Sequence, residues 1–98
     1  MPAQPILNYV ISPHAATEMG RRGISKEEID SVLSAPAQRL TVRIGRAVLQ
    51  SLVIVAGQQD RMLLRVFVDI DRYPAEVVTA YRTSKIQKYW SRGDESSV

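Results

Sequence analysis

Apolar positions change their period once along this chain. Residues 12–36 carry them at helical spacing, and residues 39–82 carry them in alternating or continuous runs suited to strands. Ser12 is a good N-cap and Pro13 suits the first helical position, so a helix starts there. It runs to about Arg22, where Gly23 is the expected left-handed stop. Ser25-Lys26-Glu27-Glu28 reads as a capping box, and Ile29, Val32 and Leu33 form the buried stripe of a second helix that ends before Pro36. Ahead of both, residues 6–11 are either a short edge strand or a packing segment.

The strand pattern gives four elements: 39–44, 47–56, 62–68 and 76–82. Gly45, the polar loop 57–60 and the sequence Asp71-Arg72-Tyr73-Pro74 supply the turns between them. Residues 83–89 are expected as a short helix or an extended arm. Helices first and strands afterwards indicate an α+β fold: two N-terminal helices packed on a curved four-stranded antiparallel sheet. One sheet face is buried by the helices, and the other is where a site could form. The whole chain, 1–98, reads as one domain with an ordered core of about 6–90 and a polar, disordered tail, 91–98.

Composition removes several function classes. Cysteine is absent and histidine occurs once, so neither thiol chemistry nor a structural zinc site is expected, and no cofactor is called for. No apolar run is long enough to span a membrane, and no basic segment precedes residues 6–11 as in a signal peptide. These features fit a cytoplasmic protein. The net charge is only +3, but its distribution is uneven. Arg82, Lys85, Lys88 and Arg92 follow one another without an acidic residue between them, and Tyr89 and Trp90 are interleaved. Cations among aromatics suit a phosphate backbone with stackable bases. The other reading is a solvated charged helix whose Tyr89 and Trp90 pack the tail onto the body.

Two polar residues interrupt apolar strands. Arg65 stands within Leu63-Leu64-Arg65-Val66-Phe67, where a charge is costly unless paired or facing an open concavity. It is either an ion-pair partner of Asp69 or Glu76, or a phosphate clamp, because guanidinium matches phosphate bidentately. Gln50 interrupts Val48-Leu49-Gln50-Ser51-Leu52 and bonds either a base or a neighbouring backbone group. Strand alternation sets Val77, Thr79 and Tyr81 on one face and Val78, Ala80 and Arg82 on the other. Tyr81 can donate to a phosphate oxygen, stack on a base, or sit half-buried in the sheet. Lys85 follows at the strand exit, within reach of the same pocket. His14, at the first helix start, shares a face with Glu18 and is either a general acid–base or a helix anchor.

Two motifs carry a resemblance. His-Ala-x-x-x-Met-x-x-Arg-Gly-Ile-Ser spans His14 to Ser25, and Val-Val-Thr-Ala-Tyr-Arg-Thr-Ser-Lys-Ile-x-Lys-Tyr-Trp spans Val77 to Trp90. Together they resemble a family of small bacterial domains of unassigned function that looks related to the BrnT and RelE toxins of toxin–antitoxin systems. The resemblance covers roughly residues 10 to 90. It implies a ribonuclease site on the sheet that needs no metal, blocked by a partner antitoxin. Carried over by position, the catalytic candidates are Arg65, Thr79, Tyr81 and Lys85, with His14 from the family's own N-terminal motif. Gln50, Arg82, Lys88, Tyr89 and Trp90 are the candidate RNA contacts.

The expected chemistry is attack of a ribose 2′-oxygen on the adjacent phosphorus. His14 or Lys85 takes the proton, Arg65 stabilises the phosphoryl charge, and Tyr81 or His14 protonates the leaving 5′-oxygen. The expected partners are RNA, including ribosome-associated mRNA, a cognate antitoxin, and a second copy across an exposed sheet edge. The alternative is a non-catalytic RNA- or protein-binding module of the same fold.

Overall fold

A computed structural model describes residues 3–55, 57 and 59–92. The chain runs β1 (Tyr9–Ile11), α1 (Pro13–Arg22), α2 (Lys26–Ser34), β2 (Gln38–Arg43), β3 (Arg46–Ile54), β4 (Arg61–Asp69), β5 (Ala75–Thr83) and α3 (Ile86–Tyr89). The α+β class holds, but the sheet has five strands, in the order β1-β5-β4-β3-β2. It is not the expected four-stranded antiparallel sheet. β2 to β5 form the antiparallel meander, and β1 adds parallel to β5, with Val10 opposite Glu76. The segment 6–11 therefore supplies an edge strand. Parallel pairing joins residues more than sixty positions apart, so no local pattern announces it. The expected tail falls outside the described residues from 93 onward, as does Gln58 of the loop 57–60.

The helix starts and stops follow local chemistry. The Ser12 side chain accepts from the Ala15 N–H at 3.0 Å, and Gly23 ends α1 at φ 65°. In α2, Ser25 and Glu28 form a reciprocal capping box at 3.0 and 3.1 Å. Caps of this kind contribute about 1 kcal/mol each. Both helices pack on one sheet face. Ala15 and Met19 of α1 and Ile29, Val32 and Leu33 of α2 meet Leu49, Leu64, Val66, Val68, Val77 and Ala80. Truncating a fully buried Ile29 or Leu33 to alanine would cost about 2–5 kcal/mol.

Two irregularities set which side chains meet on the opposite face. The register shifts between Thr41 and Arg43 in β2, and between Phe67 and Val68 where they face β5. In β5 the extra residue is Val78, since Val77 pairs with Val68 and Thr79 with Phe67. This bulge corrects the simple alternation expected for β5. Val77 and Ala80 are both buried against the helices, whereas Thr79 and Tyr81 stay on one side, as expected.

Candidate functional site

The sheet face away from α1 and α2 carries a polar row that crosses four strands. Gln38 of β2 lies opposite Gln50 of β3, Gln50 opposite Arg65 of β4, and Arg65 opposite Tyr81 of β5. Registered neighbours on one face stand close enough for their side chains to interact. Each member bonds the next. Gln50 Nε2 donates to Gln38 Oε1 at 2.8 Å, Arg65 Nε donates to Gln50 Oε1 at 2.8 Å, and Arg65 Nη1 donates to the Tyr81 hydroxyl at 2.7 Å. Gln50 is fully buried, so its amide is fixed at both ends.

Arg65 has no carboxylate within ion-pair distance among the described residues. Asp69 is taken by Arg46, at 2.6 Å, and by Arg72, and Glu76 is taken by Arg72 at 3.0 Å. The Asp69 carboxyl is held below the usual range, chiefly by the Arg46 hydrogen bonds. The ion pairs considered for Arg65 are thus absent. Its charge rests instead on an amide, a phenol and three aromatic faces. Its guanidinium carbon lies 5.2 Å from the Phe67 ring centre, 5.7 Å from Tyr81 and 4.3 Å from Tyr89. Phe67 stacks on Tyr81 with centroids 6.0 Å apart.

The C-terminal segment returns across this row. Gln50 Nε2 donates to the Tyr89 carbonyl at 3.1 Å. Gln38 Nε2 donates to the Ser91 carbonyl at 2.7 Å, and the Ser91 N–H donates to Gln38 Oε1 at 3.0 Å. Ile86 and Trp90 border a shallow cleft of about 310 Å³ with Leu52. Leu63, on the same face, is fully buried. The Tyr89 phenol is pulled below its ordinary range, first by the Lys88 ammonium and further by Tyr81 and Arg65.

A second group lies on the flank of β5. His14 Nε2 stands 3.3 Å from Glu18 Oε2, and Glu18 Oε1 accepts from the Thr79 hydroxyl at 2.6 Å. That hydrogen bond, with the Arg22, His14 and Arg21 charges, holds the Glu18 carboxyl low and keeps it anionic. His14 is largely exposed, with its Nε2 turned toward Glu18. The two groups adjoin at Thr79 and Tyr81, a two-residue step of roughly 7 Å along the strand.

The remaining candidates are placed differently. Arg82, opposite Leu64, lies on the helix side, where its guanidinium donates to the Arg22 and Gly23 carbonyls and reaches Glu28 at 3.4 Å. That arrangement caps the end of α1. Lys85 is exposed at the strand exit, and its backbone N–H donates to Thr83. Lys88 Nζ lies 5.2 Å from the Tyr89 ring centre.

Gln38, Phe67 and Glu18 join the site without having been singled out for it. Phe67 was legible as the second residue after Arg65, hence on its face. Glu18 was legible as the fourth residue after His14. Gln38 was not. A two-residue Ile44-Gly45 turn alone would set Arg39 opposite Gln50, and only the β2 irregularity moves Gln38 there.

Residues 11–82 match the family described as Domain of unknown function (DUF4258). The chain belongs to that family. The DUF4258 match takes in both helices and the meander through Arg82, and with them His14, Gln50, Arg65, Thr79 and Tyr81. Lys85, Lys88, Tyr89 and Trp90, in the segment that crosses the row, lie beyond it. No curated protein and no solved structure matches the chain. Among the described residues, no helix is long and apolar enough to cross a membrane.

Proposed function

We propose that this DUF4258 domain is a toxin-type endoribonuclease that cleaves RNA with side chains alone and is neutralised by an antitoxin protein in the cytoplasm. The observation that carries the reading is Arg65: a guanidinium in mid-sheet with no carboxylate partner among the described residues and a phenol hydroxyl 2.7 Å away. A buried or half-buried cation without an anion is costly, and a phosphate supplies that anion in the fork geometry guanidinium prefers. Tyr81 accepts from Arg65, so its own proton is available to a leaving oxygen.

In this reading His14, oriented by Glu18, takes the proton from a ribose 2′-hydroxyl. The 2′-oxygen attacks phosphorus, Arg65 stabilises the charge on the non-bridging oxygens, and the bond to the 5′-oxygen breaks. Tyr81 protonates that oxygen, leaving a 2′,3′-cyclic phosphate and a 5′-hydroxyl, and Lys85 adds positive charge at the strand exit. The free edge of β2, with exposed Val42 and with Arg39 and Arg43, suits strand addition by an antitoxin or by a second copy.

The test is incubation of purified protein with RNA, on ribosomes and free, with mapping of the ends. Wild type is expected to release cyclic-phosphate ends. Intact RNA, together with unchanged RNA binding by Arg65→Met, would overturn the reading. A second reading, a non-catalytic RNA-binding module on the same face, is favoured by the Tyr89 ring standing on Arg65. It predicts salt-sensitive binding without cleavage.

A further inference from the structure

We infer that the Arg65 guanidinium is a stacking platform for an unpaired nucleobase, and that the Tyr89 ring is the resident that RNA displaces. The inference rests on the RNA reading above and adds what the site recognises and how it is kept shut.

Tyr89 sits on the guanidinium closer than either sheet ring does, 4.3 Å against 5.2 and 5.7 Å. Its own carbonyl accepts from Gln50 Nε2. A flat ring over Arg65 with an acceptor beside the Gln50 amide is the outline of a base with an acceptor on its edge. Bases stack on guanidinium planes as they do on aromatic rings. Phe67 and Tyr81 wall the same guanidinium, so a base entering there meets aromatic surface as well.

Residues 84–91 are tied to the row by the Gln50–Tyr89 bond, the two Gln38–Ser91 bonds, the Arg65–Tyr89 face and the edge contact of the Tyr81 and Tyr89 rings, 6.3 Å between centroids. α3 is a single turn of four residues with no side-chain cap. The segment also lies outside the stretch that the family match covers. It carries Lys85 and Lys88 without an acidic neighbour, so once lifted it still offers cations to the phosphates on either side of the base. Loss of the occupant's ring therefore opens the platform, and ligand binding releases the occupant.

The experiment is titration of full-length wild type, Tyr89→Ala and Tyr89→Leu with a short single-stranded oligoribonucleotide and with an abasic ribose-phosphate oligomer of equal length. Tyr89→Leu keeps bulk over the sheet should the alanine variant fold poorly, and amide exchange in β4 verifies the fold of each. Both variants are expected to bind the base-bearing oligomer roughly three- to thirty-fold tighter than wild type, the range of one cation–π contact, with abasic binding unchanged. In wild type the Ser91 amide, bonded to Gln38, loses exchange protection on binding.

Weaker binding by the variants would overturn the inference, because Tyr89 would then be part of the RNA surface. Equal binding of base-bearing and abasic oligomers by all three proteins would overturn it while leaving RNA as the ligand. No binding by any of them would remove the RNA reading itself.

Discussion

Arg65 donates to Gln50 across directly paired residues of β3 and β4, at 2.8 Å, and has no carboxylate within ion-pair distance among the described residues. The buried amide thus carries much of the burden of a cation in the sheet. Its Nε2 donates to Gln38 Oε1 and to the Tyr89 carbonyl.

Gln50→Ala should therefore leave Arg65 Nε and the Tyr89 carbonyl without their Gln50 partner and take one of two donors from Gln38 Oε1, which keeps the Ser91 N–H. The expected loss is about 1–3 kcal/mol in urea unfolding, with the denaturant slope unchanged. A loss below about 0.5 kcal/mol would mean that the row is not holding the sheet face together.

Arg82 separates structure from binding. Its guanidinium caps α1 and reaches Glu28 from the helix side. Arg82→Met should lower stability by about 2 kcal/mol, as charged hydrogen bonds do, and should leave RNA affinity within two-fold or so of wild type. Parallel urea melts and oligoribonucleotide titrations check both halves.

Cleavage should divide between His14 and Glu18. His14→Ala removes the proton acceptor and is expected to lower the rate about 10²- to 10⁴-fold with little change in melting, since the ring is largely exposed. Glu18→Gln keeps the side chain's shape but weakens its hold on the imidazole, so a smaller loss, confined to turnover rather than RNA affinity, is expected. Single-turnover rates beside binding curves distinguish the two.

Stability should fall at both ends of the pH scale for identifiable reasons. The Asp69 carboxyl lies below the usual range because of Arg46, so the stability it contributes is present above the ordinary carboxylate value and lost as pH drops through the depressed one. Arg46→Met should flatten that acid limb. Tyr9 is pushed from its ordinary 10.0 up to about 12, by burial first and then by its bond to Asp30. Its contribution is complete below its ordinary value and is lost as pH rises toward the raised one. Tyr9→Phe should flatten the alkaline limb, and phenolate absorbance should show one tyrosine titrating late.

Much of this protein was determined locally. Ser12, Pro13 and Gly23 bound α1, the Ser25–Glu28 box starts α2, and the apolar runs around Gln50 and Arg65 locate β3 and β4. These follow from the sequence because caps, turns and periodicity act over a few residues. Arg65 and Gln50 were conspicuous for the same reason, as polar groups set in apolar strands.

What they touch was decided only by tertiary structure. Without the bulge at Val78, the register set by Asp69 and Glu76 would bring Ala80 opposite Arg65; with it, Tyr81 stands there. Without the irregularity in β2, Arg39 rather than Gln38 would face Gln50. Each moves the register by a single residue, and a one-residue step exchanges the two faces of a strand. The parallel pairing of β1 and the return of Tyr89 onto Arg65 belong to the same class. They join segments distant in sequence, and the burial that stabilises them exists only once the sheet has formed.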